Sequence, residues 1–570
     1  MLKQRIDDLK GLFRGLRAVK NTGALEGFKL SDAIIMLRNA KKYSGTVTGS
    51  MESSAARFPD RLALVDDDGE LTYSQLRDHA RKTAAALASH GVNENSRVGM
   101  MARNGRGVMV PLLAKGYLGY MALLLNVGAS GKQLADIIRE HKLDVLFIDS
   151  EFDERIPQDR SNLLVVHAHA APDHRTDINF PTIEDLWANY GPHSTSFPDR
   201  PKQGGVVLFS SGTNGIPRAV LCPESRNWFG VYGCASSAYQ LKKLPVVQLT
   251  GGIFHTIGWG ALFAAMLASA TVVTMRVFNP VRVLEQVDKY KCIGIQSSAM
   301  FLRDMLAADD GSYDTSHLTF ISNSGNAMSE DLVRGLQAKY GNIIVNCYGS
   351  TELFLVSIAT REDLVEDPLT AGRAVWNGRL AIIDRETGKE LPPGQEGVIH
   401  ARTNFSMVRY LGTRNKEVVR QGLIDMGDRG VIDPVSGRLR VLGRNSDMII
   451  VGGENIYPST VADIIDKMPG VKESYCVGVE DEKSFQRIKA YVVTDGTITE
   501  DQIRDHVRRT YIQWAIPRDV VLLTQPLPRN ATGKIVKDLV LEMDHSADAA
   551  AEQAPVASAE SAPGSKSASA

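Results

Sequence analysis

Cysteine is scarce and scattered. The five residues Cys222, Cys234, Cys292, Cys347 and Cys476 include no Cys-x-x-Cys pair, which excludes a disulfide framework or a thiolate zinc site and points to reduced thiols in a cytoplasmic setting. Net charge is nearly absent too, −1 over 570 residues, so no global field draws the chain to nucleic acid. No unbroken apolar run opens the sequence, and no secretory signal is expected. One internal stretch, Gly251 to Met275, has a single ionisable side chain, His255, and is long enough to span a bilayer. Its paired glycines and β-branched end (Thr271-Val272-Val273-Thr274) read instead as a buried loop, a helix and a strand. Carboxylates are missing from Leu244 to Leu284 and aromatics after Trp514. From about Ser546 the chain is rich in Ala, Ser, Pro and Glu, cannot offset its ordering entropy, and is expected to be disordered.

At this length two or three domains are expected. Apolar runs at Leu62–Val65, Val98–Met101, Ala122–Val127 and Val145–Ile148 alternate with helical stretches such as Ser74–Ser89 and Gly131–His141. That alternation predicts an α/β fold, with a large N-terminal domain of mostly parallel sheets and helices. Toward the C-terminus, Tyr475–Val479, Lys489–Val493 and Val520–Leu523 read as strands and Thr499–Thr510 as a helix, giving a small α+β domain. In residues 1–20, Leu2, Ile6, Leu9, Phe13, Leu16 and Val19 fall at steps of three or four among basic residues. Such a basic amphipathic helix can lie on the inner membrane face as a peripheral contact, dock on its own domain, or join a second subunit in a homodimer. His167, His169 and His174 cluster in what reads as a solvated loop, not a metal site.

The densest chemistry is in Ser210-Ser211-Gly212-Thr213-Asn214-Gly215-Ile216-Pro217-Arg218, which follows the apolar run Val206–Phe209. Glycines let backbone N–H groups turn toward an anion, hydroxyls add donors, and the guanidinium forks onto phosphate oxygens. The loop is suited to a polyphosphate. It lacks the Gly-Lys-Ser/Thr of P-loop proteins and the glycine two residues before a serine that marks the hydrolase elbow.

This loop resembles the phosphate-binding loop of adenylate-forming enzymes, the superfamily of acyl-CoA synthetases, luciferases and peptide-synthetase adenylation domains, with Asn214 replacing a threonine and Arg218 a lysine. Further segments resemble that family in the same order. Ser324-Gly325-Asn326-Ala327 is similar to the adenine-pocket stretch. Tyr348-Gly349-Ser350-Thr351-Glu352 is similar to the segment whose tyrosine stacks on the purine, whose threonine reaches the α-phosphate and whose glutamate holds Mg2+. Asp425-Met426-Gly427-Asp428 resembles the ribose-binding turn, with Asp428 at the matching position. Arg444 precedes a hinge position, Ser446, where relatives carry Lys or Asp. Gly452-Gly453-Glu454 resembles the coenzyme A tunnel loop, and Lys534, in Asn530-Ala531-Thr532-Gly533-Lys534, the catalytic lysine. Phe254, His255 and Trp259 match an acyl pocket, where the missing carboxylate argues against an amino-acid substrate: a buried ammonium without a counter-ion is costly.

The resemblance implies an N-terminal extension (1–49), an adenylation domain (50–444), a mobile C-terminal domain (445–545) and a tail (546–570). It implies ATP-dependent activation of a carboxylic acid, a medium- or long-chain fatty acid, to acyl-AMP and then transfer to coenzyme A. The alternatives are an acyl-AMP ligase that loads a carrier protein and a non-catalytic lipid-binding relative.

Overall fold

The computed structural model describes residues 29–160, 162–171, 180–210, 218–222, 239, 244–376, 378–403, 405–412, 419–420, 422–444, 449–451, 454–481, 485–511, 515–530 and 533–543. The amphipathic segment 1–20, the tail, His174, Ser211 to Gly215, Ser446, Gly452 and Gly453 lie outside them. The chain divides into two compact units, Met1–Met448 with Ala531–Gly533, and Ile449–Asn530 with Lys534–Ala570.

The strands of the large unit begin with β1 (Leu62–Asp66), β2 (Gly69–Thr72), β3 (Arg97–Met101), β4 (Met121–Leu124), β5 (Val145–Asp149), β6 (Leu164–His169) and β7 (Val206–Ser210). There follow β8 (Arg218–Cys222), β9 (Val246–Leu249), β10 (Thr271–Thr274), β11 (Gly294–Ser297), β12 (Phe320–Ser324), β13 (Ile344–Tyr348) and β14 (Ser357–Ala359). The last are β15 (Arg373–Ala374), β16 (Arg379–Ile383), β17 (Gly397–Arg402), β18 (Arg409–Tyr410), β19 (Val419–Arg420), β20 (Leu423–Ile432) and β21 (Leu439–Arg444). Its helices are α1 (Leu30–Lys42), α2 (Val47–Arg57), α3 (Tyr73–Ser89), α4 (Arg106–Leu118), α5 (Gly131–His141) and α6 (Ile183–Asn189). They continue with α7 (Thr256–Leu267), α8 (Pro280–Tyr290), α9 (Ala299–Ala308), α10 (Glu330–Tyr340) and α11 (Arg361–Glu366).

One sheet runs β15-β14-β13-β12-β11-β9-β10-β1-β2 and a second β18-β8-β7-β4-β3-β5-β6; both are parallel at their centres, the first is antiparallel at both edges and the second only at its β18-β8-β7 edge. A third, β16-β17-β20-β19 with β21 on β20, is antiparallel throughout, an element that strand–helix alternation does not announce. Helices begin where local chemistry sets them. Thr72 and Gln75 close a capping box on α3, and Ser130 and Gln133 another on α5. The stretch from Gly251 to Met275 forms a loop, α7 and β10, as expected, whereas β4 stops at Leu124, short of the expected Val127. No helix among the described residues is long and apolar enough to cross a membrane.

Two features depart from expectation. α4, for which the sequence pattern supplied no expectation, leaves no periodic signal because every residue from Gly107 to Leu118 is buried, Lys115 included; a helix buried on every side fills a core. His167 is on β6, not in a solvated loop: it is buried, its Nε2 3.0 Å from Asp153 Oδ1.

The small unit has a hairpin, β22 (Ile449–Val451) with β23 (Glu454–Ile456), then α12 (Pro458–Ile465), β24 (Val471–Asp481), β25 (Phe485–Thr494), α13 (Glu500–Thr510) and β26 (Asp519–Leu523). β24, β25 and β26 form one sheet, with its own apolar cores around Ile465, Ile503 and Tyr491.

Candidate nucleotide and acid site

Most of the expected site residues of the large unit lie at or beyond the carboxyl ends of β7, β9, β12 and β13, where open α/β sheets bind ligands, whereas Arg218 opens β8, Asp428 lies within β20 and Arg444 ends β21. β7 and β8 pair antiparallel with Ser210 opposite Arg218. Both ends of the glycine-rich loop are therefore fixed at one rung. β18 adds to the other side of β8, with Tyr410 opposite Val220. From there the Tyr410 hydroxyl donates to Glu352 Oε1 at 3.0 Å, and Ser210 Oγ donates to the same oxygen at 3.4 Å. Burial and the Glu352 carboxylate push the Tyr410 hydroxyl up to about 12, with Arg218 opposing, so it remains a donor. Glu352 is also held through its backbone: its carbonyl accepts from Met407 N at 2.6 Å. The turn after Glu352 places Phe354 at φ 64, a left-handed conformation uncommon for an aromatic residue.

A second constellation surrounds Asp428. Tyr348 donates its hydroxyl to Oδ2 at 2.6 Å, and Arg444 Nε is 3.0 Å from Oδ1. The pairing of β20 with β21 sets Asp428 opposite Arg444. Burial and then the Asp428 charge raise the Tyr348 hydroxyl far above its usual range. Asp425 is spent on the turn, accepting from Gly427 N at 2.7 Å. The structure therefore separates two carboxylates only three positions apart.

The third group brings Gly325, the first of the stretch Gly325-Asn326-Ala327, beside α7. Gly325 has φ 91, and a Cβ there would lie 2.7 Å from Ile257 Cδ1. Asn323 Nδ2 donates both to Asn326 O and to Asn346 Oδ1, each at 2.8 Å, tying the ends of β12 and β13. His255 is the N-cap of α7, with Phe254 and Trp259 buried beside it. Gly260 faces Phe354 so closely that a Cβ would lie 2.1 Å from the ring. Segments 253–260, 323–327 and 348–354 thus converge, with Gly349 pressed against the Phe354 carbonyl. Thr351 is half-buried in the same turn.

In the small unit Glu454 opens β23, opposite Val451. Lys534 is exposed on a turn in which its backbone N–H donates to Asn530 Oδ1 at 2.9 Å. Tyr410 is the residue that sequence reasoning missed. Its neighbours Met407, Val408 and Leu411 carry no chemistry, and only the non-local pairing of β18 with β8 brings it to Glu352.

Two mainly parallel sheets, an antiparallel third and a separate α+β unit are the architecture of adenylate-forming enzymes. The chain belongs to the AMP-binding enzyme family: residues 51–411 match the family itself and residues 460–534 its C-terminal domain. It is 26% identical over 520 residues to the 3-((3aS,4S,7aS)-7a-methyl-1,5-dioxo-octahydro-1H-inden-4-yl)propanoyl:CoA ligase of Rhodococcus jostii, covering 87% of this chain and 98% of that protein. It is also 26% identical over 491 residues to the 2-succinylbenzoate–CoA ligase of Bacillus licheniformis, covering 85% and 98%. Among solved structures, ATP-bound MatB from Rhodopseudomonas palustris shares the fold with a TM-score of 0.75 at 24% identity, over 86% of this chain and 98% of that one.

Proposed function

We propose that this chain is an AMP-forming acyl-CoA ligase acting on an apolar carboxylic acid. The observation that carries the proposal is the convergence of Ser210 and Tyr410 on Glu352 at the rung that closes the glycine-rich loop. It sets an anion, two hydroxyls and the Arg218 cation around one point, as a metal–polyphosphate complex requires. One carboxylate completed by phosphate oxygens is a usual Mg2+ donor set, so Glu352 would hold that ion, which supplies charge neutralisation. Arg218 and the loop Ser211, Gly212, Thr213, Asn214, Gly215 would grip the departing pyrophosphate. Tyr348, Gly325, Asn326 and Ala327 would border the adenine, and Asp428, oriented by Tyr348 and Arg444, would accept the ribose hydroxyls.

In the first step a carboxylate oxygen of the acid attacks the α-phosphorus of ATP and pyrophosphate leaves. Thr351 and Lys534 would offset the charge that develops there. In the second, the small unit turns about Ser446, Gly452, Gly453 and Glu454 border the coenzyme A tunnel, and the thiol displaces AMP from the acyl-adenylate. Ile253, Phe254 and Trp259, with no carboxylate from Leu244 to Leu284, favour an apolar acyl group. His255 would stand at the pocket mouth.

Medium- and long-chain fatty acids are the first candidates. The ring-bearing acids in the relatives' names belong in the same assay. AMP release with coenzyme A should occur with at least one acid of this panel, and mass analysis should find free acyl-CoA. An adenylate that transfers only to a carrier protein would replace the ligase reading. Absence of AMP release with every acid would favour a lipid-binding relative without catalysis.

A further inference from the structure

One buried side chain of the second sheet reaches across to the acid side of the site. Asn104 lies in the loop between β3 and α4. Its amide makes three hydrogen bonds, all to residues on or just after strands of the first sheet. Nδ2 donates to Gly251 O at 3.0 Å and to Thr274 Oγ1 at 3.3 Å, and Oδ1 accepts from Ile253 N at 2.9 Å. The Thr274 hydroxyl spends its proton on Leu249 O at 2.7 Å, so it meets Nδ2 as an acceptor. Two acceptors on one side and a donor on the other fit the two unlike ends of a carboxamide.

The base of this clamp is firmly held. On one side of Asn104, Arg103 donates its N–H to Asp149 Oδ2 at 2.9 Å and its guanidinium to both oxygens of Glu151 at 2.8 and 2.7 Å. On the other, Arg106 forks onto Asp66 at 3.1 and 2.6 Å. What the clamp grips is the loop from Thr250 to His255. Inside that loop His255 N donates to Gly252 O at 2.9 Å. A Cβ on Gly252 would lie 2.6 Å from the Phe254 ring, and one on Gly258 would run into the Gly252 carbonyl. Packing this close leaves the loop no room to shift alone. A displacement at Gly251 or Ile253 therefore passes to Phe254, His255 and the first turn of α7.

We propose that Asn104 is a positioning residue for acid binding, acting through the loop that presents Phe254 and His255. The inference rests on the reading of Phe254, His255 and Trp259 as the acyl pocket.

Asn104→Ala removes all three bonds. With an acid that the parent turns over, it should raise KM for the acid about tenfold and leave KM for ATP within about twofold, measured by steady-state AMP release. Independently of activity, backbone amides in 250–258 should exchange hydrogen about tenfold faster, because Ile253 N–H loses its acceptor, while those of β20 and β21 keep the parent's rates. Should this variant fold poorly, Asn104→Ser, too short to reach both Gly251 and Ile253, carries the same expectations. Unchanged exchange in 250–258, an unchanged KM for the acid, or equal rises in both KM values would overturn the proposal. Phe254→Ala separates it from the pocket reading. If that variant raises KM for the acid and Asn104→Ala does not, the clamp falls and the pocket stands. If Phe254→Ala leaves KM for the acid unchanged, or the parent turns over no acid, the pocket reading falls and takes the proposal with it.

Discussion

Glu352 keeps one oxygen engaged by two hydroxyls, from Ser210 and Tyr410. Glu352→Gln retains an acceptor at that position and removes only the charge. Pyrophosphate release in the presence of acid and Mg2+ is expected to fall by about 10²–10³, with the melting temperature within a few degrees of the parent; activity near the parent's would remove Glu352 from the proposed chemistry. His79 offers a pH test at the same scale. Its ring lies 3.9 Å from that of Trp187, and burial, then Lys82 and Arg106, lower it from 6.5 to about 4. The folded state therefore binds fewer protons than the unfolded one between these values. Its contribution is full above pH 6.5 and falls away as pH drops toward 4. His79→Phe is expected to recover about 1–2 kcal/mol at pH 4 relative to its own effect at pH 7.5, measured by urea unfolding; parallel pH profiles for parent and variant would contradict the assignment. Single residues were singled out in sequence where chemistry is clustered, as in Thr351-Glu352. Tyr410 was not, because nothing local marks it, and His167 was misread because a strand-borne histidine paired to Asp153 looks like a loop residue in isolation.

Among the elements, α5 is readable to the residue, since Ser130 caps it and apolar positions recur along one face. α4 is invisible to the same reasoning, since burial on every side removes the contrast that periodicity measures. The packing of α7 on the turn after Glu352 is also beyond sequence: that Gly260 is the contact point follows only from the position of Phe354. Gly260→Ala must displace that ring. Overpacking of this kind costs about 1–3 kcal/mol. The variant is expected to raise KM for the acid several-fold while leaving KM for ATP within twofold, as measured by steady-state AMP release. A change confined to ATP would place this contact outside the acyl pocket.

At the scale of the whole molecule, the prediction concerns Lys534, exposed on the small unit. If the two half-reactions use different orientations of that unit, Lys534→Ala should slow pyrophosphate release by about 10² or more and change thioester formation from preformed acyl-adenylate only a few-fold. Equal losses would contradict the two-orientation scheme. The parallel character of the large unit was legible from strand–helix alternation, but the interleaving of its sheets was not. β1 sits between β2 and β10, with Leu64 opposite Val272, while the strands β3 to β8 all go to another sheet. On a ribosome adding about 5–20 residues per second, β1 would emerge on the order of 10–40 s before its inner neighbour exists. One edge of the nascent hairpin stays uncovered throughout that wait, so slowing translation should lengthen the exposure of an unpaired strand and lower the yield of soluble product.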